Sequence, residues 1–165
     1  MASIFMVRDN LDNIPQYDLP VGCNIHTLRP GEEKLWEWVC EGAFANDFGS
    51  DFKFDFDRMM RSDKCFAPER VFLGQQYAQV TATASAWHDP KFGANTGILH
   101  WVATHPTASG DGLGRPVIAA ALNAMRDMGY TRAILTTQEY RLPAIRLYKE
   151  FGFHPVYDEA DRYEQ

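Results

Sequence analysis

Three glycines at alternate positions, Gly110, Gly112 and Gly114, lie between an apolar run ending at Thr104 and a helix-like run from Val117. Glycine lets backbone approach a ligand closely and adopt positive φ. A helix start presents unpaired N–H groups and a partial positive charge. The stretch Ser109, Gly110, Asp111, Gly112, Leu113, Gly114, Arg115 is therefore a candidate cradle for phosphate or pyrophosphate. Pro116 suits this place, because the first helical turn has no N–H bond to lose. Asp111, beside an anion, is expected to point outward. No Gly-Lys-Ser/Thr follows, so the turn is not a P-loop, and the third glycine of a dinucleotide fingerprint would fall at Arg115. A glycine-rich turn without a ligand is the plain alternative. Further on, Ala144 and Tyr148 are four residues apart in a helical stretch and share a face. A small residue there admits a thin ligand arm, and a phenol one turn later can donate a proton. The alternative for Tyr148 is a core tyrosine with its hydroxyl satisfied. His100 is either an imidazole able to accept a proton near neutral pH or a structural histidine hydrogen-bonded in a strand.

The elements that must position these groups follow from spacing. Residues 1–20 read as an extended lead-in in which Pro15 and Pro20 disfavour helix. A single domain is expected over 21–165. Cys23 to Leu28 alternates like a first strand, and Glu32 to Phe44 has the spacing of an amphipathic helix. Phe52, Phe54 and Phe56 alternate like a strand while Met59 and Met60 continue like a helix, which leaves 48–60 undecided. Val71 to Leu73 and Val80 to Trp87 read as an antiparallel hairpin with Gly74 as turn residue. Ile98 to Thr104 is a strand, Val117 to Met128 a helix stopped by Gly129, and Ala133 to Thr137 a short strand. Pro143 to Phe151 is a helix with Gly152 just past its end, and Phe153 to Tyr157 a last strand. The order implies an α/β (α+β) fold with a mixed sheet and helices on both faces.

Length and charge narrow the function. The 165 residues suffice for one domain with a full core. With 16 Lys plus Arg against 22 Asp plus Glu, the net charge is −6, and no basic run exists to hold nucleic acid. No stretch approaches the ~18–20 apolar residues of a membrane span, and 1–20 lacks the apolar core of a signal peptide. A cytoplasmic protein with no membrane partner is expected. Cys23, Cys40 and Cys65 have neither disulfide nor zinc spacing, so reduced thiols and no metal are expected.

The glycine turn resembles the acyl-CoA pyrophosphate loop of the GCN5-related N-acetyltransferases (GNAT), Gln/Arg-x-x-Gly-x-Gly/Ala after a strand. Gly112 and Gly114 fill the two small positions, and Ser109 stands where Gln or Arg is usual. About 30 residues on, that family has Asn-x-x-Ala-x-x-Leu-Tyr-x-x-x-Gly-Phe. Ala144, Leu147, Tyr148, Gly152 and Phe153 match, and Arg141 replaces the Asn. The resemblance is close over 97–157. It implies a GNAT acyl-CoA N-acyltransferase fold, with a mixed, mostly antiparallel sheet. It also implies transfer of acetyl from acetyl-CoA, used as co-substrate, to a primary amine by direct attack.

The same resemblance gives the residues their roles. Val102, Ala103 and Thr104 are the splayed strand that holds the pantetheine arm. Residues 109–115, with Arg141, Ala144 and Tyr148, complete the acetyl-CoA site. Tyr148 is the general acid toward the CoA sulfur. Family positions for a glutamate base fall at Ile98 and Thr136, neither a carboxylate. His100, on the same side of its strand as Ile98, is the candidate base, with Glu139 or a water-mediated route as alternatives. Trp36, Trp38, Phe48, Phe52, Phe54, Phe56, Trp87 and His88, with Asp51, Asp55 and Asp57, suit a small cationic amine as acceptor. They equally read as core aromatics beside a solvated acidic face. A homodimer is possible by analogy. A non-catalytic acyl-CoA-binding module on the same fold is the alternative function.

Overall fold

In a computed structural model that describes residues 2–49 and 51–164, seven strands form: β1 Ser3–Arg8, β2 Cys23–Thr27, β3 Val71–Gln76, β4 Gln79–Trp87, β5 Thr96–Thr104, β6 Arg132–Gln138 and β7 His154–Val156. The α-helices are α1 Glu33–Ala43, α2 Ala45–Phe48, α3 Gly114–Asp127 and α4 Leu142–Glu150. The strands make one sheet in the order β2-β3-β4-β5-β6-β1-β7. Every neighbouring pair is antiparallel except β5 and β6.

Each face of the sheet carries its own core. Val117, Ile118, Ala121, Leu122 and Met125 of α3, with Ile145 and Tyr148 of α4 and Phe151 just past its end, pack on Ala82, Ala84, Ala86 and Leu99. Trp36, Val39 and Cys40 of α1 pack with Phe54, Phe56, Met60, Leu73 and Trp87 in a second cluster. The helical spacing of the apolar residues dictates both arrangements. α3 ends where Gly129 takes φ 97°. The Gly129 N–H then donates to Arg126 O at 3.0 Å and the Tyr130 N–H to Met125 O at 3.1 Å, a Schellman cap.

Three segments differ from the sequence reading or complete it. Residues 3–8, read as part of the lead-in, are a strand inside the sheet, paired with β6 from Ser3↔Gln138 to Arg8↔Ala133 and with β7 on the other side. Phe5, Met6 and Val7 are all buried, and a strand covered on both faces shows a continuous apolar run rather than alternation. From there the chain crosses the α3–α4 face, where Leu11 and Ile14 join the core. The hairpin turn is not at Gly74. It is at Tyr77-Ala78, with Tyr77 at φ 50°. Gly74 lies within β3 opposite Ala82, where the register shifts and an added Cβ would come within 3.2 Å of the Ala82 Cβ. The undecided segment is neither strand nor α-helix at first. The N–H groups of Phe54 and Phe56 donate to Glu41 Oε1 (3.2 Å) and Glu37 Oε2 (2.8 Å), so carboxylates on α1 take the place of a neighbouring strand. A π-helical turn, Asp57–Arg61, follows.

Candidate active site

The sheet splits between its two parallel strands. β5 and β6 pair only over Thr96↔Arg132, Gly97↔Ala133 and Ile98↔Ile134. Beyond Ile98 each keeps its other neighbour, β4 or β1, so both stay extended while the gap opens. A bulge sharpens the divergence. His100 pairs with Ser85 and Ala103 with Thr83, so Trp101 and Val102 stand against Ala84 alone, with Trp101 at φ 46°. The opening is a cavity of about 610 Å³, whose lining includes Leu99 to Val102 of β5, Leu135 to Gln138 of β6, Arg141 and Tyr148. Along it, backbone groups of β5 and β6 that face the gap have no partner strand.

At the far end of β5 the glycine turn begins. His105 caps a 3-10 turn, Pro106–Ala108, and Gly110 and Gly112 take φ 90° and 85°. α3 then starts at Gly114, three residues before the apolar spacing implies. Among the described residues the N–H groups of Gly112, Leu113, Gly114 and Arg115 have no acceptor, which leaves donors of the kind that can bind an anion. A Cβ on Gly114 would lie 3.7 Å from the Thr104 Oγ1, in ordinary contact, so the helix start lies close against the strand end. The Asp111 side chain is exposed, whereas Leu113 is 2% exposed and offers the cradle only its backbone. Arg115 is taken by Glu150, with Nε to Oε2 at 2.8 Å and a second bond at 2.9 Å. That pair ties the start of α3 to the end of α4.

Tyr148 owes its place to the end of α4. Gly152, at φ 85°, lets its own N–H donate to Lys149 O and the Phe153 N–H donate to Tyr148 O, both at 3.0 Å. This is a second Schellman cap, and Tyr148 meets Phe153 across it with ring centroids 6.3 Å apart. The spacing Tyr-x-x-x-Gly-Phe is thus the cap itself. Burial pushes the Tyr148 phenol up to about 12, against the opposing pull of Arg141, so it stays protonated and available as a donor. Arg141, just before α4, pairs with Asp47 of α2 and lies 4.5 Å over the Phe44 ring. Burial lowers its pKa. The pair bridges the gap from the α4 side to the α1–α2 side.

His100 lines the same cavity. Its ring lies between Trp87 and Trp101, at centroid distances of 5.8 and 5.3 Å. Burial brings it down to about 4, with the nearby Asp63 opposing, so it is neutral at physiological pH. Asp63 accepts from Trp87 Nε1 at 3.1 Å and from the Cys65 N–H at 2.9 Å, and these bonds hold its pKa below the usual range. Phe44, Phe48, Trp87 and Phe92 complete an aromatic wall. Among the described residues no group of three His, Cys, Asp or Glu could hold a metal, and no helix is long and apolar enough to cross a membrane.

The sequence and the fold both match known proteins. The profile of the Acetyltransferase (GNAT) family matches residues 33–153. The chain belongs to the GNAT family. It is 31% identical over 144 residues to a mycothiol acetyltransferase of Streptomyces bingchenggensis, covering 86% of this chain and 46% of that protein. A mycothiol acetyltransferase of Thermomonospora curvata is likewise 31% identical, over 85% of this chain and 47% of its own. The chain thus spans about half the length of these curated relatives. In fold it is similar to a GCN5-related N-acetyltransferase from Sphaerobacter thermophilus (TM-score 0.72, 21% identity, 93% of this chain and 48% of that one). It is also similar in fold to the ribosomal-protein-S18-alanine N-acetyltransferase from Escherichia coli (TM-score 0.65, 17% identity, 82% and 79%).

Within this GNAT fold the sequence-derived candidates fall into two groups joined by β5. His100, Val102, Arg141 and Tyr148 share the cavity. Ser109 to Arg115 form the turn beyond Thr104. Ala103 is buried in the β4 pairing, and Ala144 is half-buried one turn before Tyr148. Trp36, Phe54 and Phe56 are core residues, and Asp51, Asp55 and Asp57 are exposed outside the cavity. The carboxylates lining it are Asp47, Asp63 and Asp89, none of which stands in a motif.

Proposed function

We propose that this domain transfers the acetyl group of acetyl-CoA to the primary amine of a small acceptor by direct attack. The observation that carries the reading is the split between β5 and β6. Its cavity is lined by β5 and by Tyr148, and β5 runs on at its far end into the turn with the unpaired N–H groups at 112–115. In this reading the turn and the backbone N–H of Arg115, whose side chain stays with Glu150, hold the pyrophosphate, and the β5 backbone at Val102 to Thr104 holds the pantetheine arm and the thioester carbonyl. The amine nitrogen bonds to the carbonyl carbon and the C–S bond breaks. Tyr148 gives its proton to the departing sulfur. His100, neutral by burial, receives the proton of the attacking nitrogen and passes it to water. The aromatic wall with Asp63 suits an acceptor that arrives as a cation and loses one proton to water before its neutral nitrogen attacks. The name of the relatives, mycothiol acetyltransferase, supports acetyl transfer to a small molecule. A second reading, acyl-CoA binding without turnover, is favoured by the low pKa of His100 and by Arg141 being held by Asp47.

Thermal unfolding with and without acetyl-CoA tests the reading. Wild type should gain in midpoint as ligand linkage requires. Gly112→Glu, which puts a side chain and a negative charge at a φ of 85°, should not. Tyr148→Phe should still bind while turnover of an amine panel falls roughly 10²-fold or more. Absence of any shift in wild type would overturn the acetyl-CoA site. Binding without acetylation of any amine would favour the second reading.

A further inference from the structure

The glycine turn is held from outside the cavity by a contact that none of the motif residues makes. His105, the last residue before the turn, stacks on Trp38 of α1 with ring centroids 3.7 Å apart and planes 5° from parallel. One helical turn on, Gly42 sits under the edge of the same imidazole, and a Cβ there would overlap the ring. The slot therefore exists because residue 42 is glycine, although glycine lowers helix propensity. The other side of the imidazole faces the turn. Its Nδ1 accepts from the Thr107 N–H at 3.2 Å and is 2.8 Å from Thr107 Oγ1, which caps the 3-10 segment that opens the turn. The His105 N–H donates to Thr81 O of β4 at 2.8 Å, so the backbone is pinned while the ring is slotted.

We propose that His105 is a positioning residue for the CoA phosphates. Slotted between Trp38 and Gly42, it holds the turn at 106–112 so that the N–H groups of 112–115 converge on one anion. The inference rests on the acetyl-CoA reading and adds to it that α1, the helix of the acceptor side, sets the phosphate cradle. His105 touches no reacting atom.

Calorimetric titration with CoA and, separately, with pantetheine tests this. Pantetheine has the arm but no pyrophosphate. In His105→Ala and Gly42→Ala, CoA affinity should fall about tenfold or more while pantetheine affinity holds. Gly42→Ala also gains helix propensity, so a folded, no less stable variant with weaker CoA binding cannot be ascribed to damage. Trp38→Phe, which keeps an aromatic face for the imidazole, should bind CoA nearly as wild type, and Trp38→Ala should not. Equal CoA affinity in His105→Ala and wild type would overturn the proposal. So would a parallel loss of CoA and pantetheine affinity, because that is the mark of general damage. Failure of wild type to bind CoA at all would instead overturn the acetyl-CoA reading on which it rests.

Discussion

His100 shows how burial decides what a side chain can do. In the unfolded chain its imidazole takes up a proton near 6.5, and in the folded protein only near 4. Between those values the unfolded state binds the extra proton, so stability falls as pH drops through the window and levels off below it. A shift from 6.5 to about 4 corresponds to roughly 3 kcal/mol. Chemical denaturation of wild type and His100→Phe at about pH 7 and about pH 5 checks this: wild type should lose stability on acidification and the variant distinctly less. An equal loss in both would assign the acid sensitivity to other groups. At this scale the sequence was informative where chemistry is local. Tyr148 and Gly152 are four residues apart because one cap holds both, and the glycines at 110 and 112 mark positive φ. Asp47, Asp63 and Trp101 were illegible as site residues. The fold brings them to the cavity from separate segments, and no spacing along the chain records that.

At the scale of elements, α1, α3 and α4 were legible because each buries one stripe, and α3 and α4 announce their ends with glycine; α2, which buries no residue, was not. The segment at 52–56 was not, because its backbone partners are side chains. Glu37 and Glu41, one turn apart on α1, accept the Phe56 and Phe54 N–H groups that a strand would give to another strand. Removing the Glu37 acceptor leaves the Phe56 N–H unpaired, at a cost of about 1–3 kcal/mol. Glu37→Ala should therefore lower the unfolding midpoint and speed amide exchange at 54–56. Glu37→Gln, whose side-chain oxygen still accepts, should restore most of both. Fast exchange in both variants would point to the charge rather than the bond, since Glu37 also lies 3.2 Å from Lys34 Nζ. The misplaced hairpin turn has a similar cause. Gly74 serves close approach to Ala82 rather than a reversal, and glycine signals both needs alike.

For the whole molecule, the mixed sheet with helices on both faces followed from element order, but the strand order did not. β1 stands between β6 and β7, so strands far apart along the chain lie side by side. Its outward neighbour β7 has three residues and, among the described residues, no other partner strand. Deleting residues 2–8 removes Phe5, Met6 and Val7 from the core, each worth roughly 1.5–3 kcal/mol for a large apolar side chain, and uncovers the long flank of β6. Against a typical total stability of ~5–15 kcal/mol, the truncated chain should lack a cooperative thermal transition by far-UV circular dichroism. A sharp transition near that of wild type would show that the sheet closes without β1. The wall of the cavity on the β6 side depends on the same pairing, so acetyl-CoA binding should be lost with it.

The position of β1 also governs how the protein is made. Ile4-Phe5-Met6-Val7 is synthesised well before its partners at 133–138 and 154–156. At ~5–20 residues per second the nascent chain carries this uncovered strand for on the order of ten seconds. Until residues 133–138 are made, this apolar strand has no partner to cover it, which is when a nascent chain is most open to aggregation.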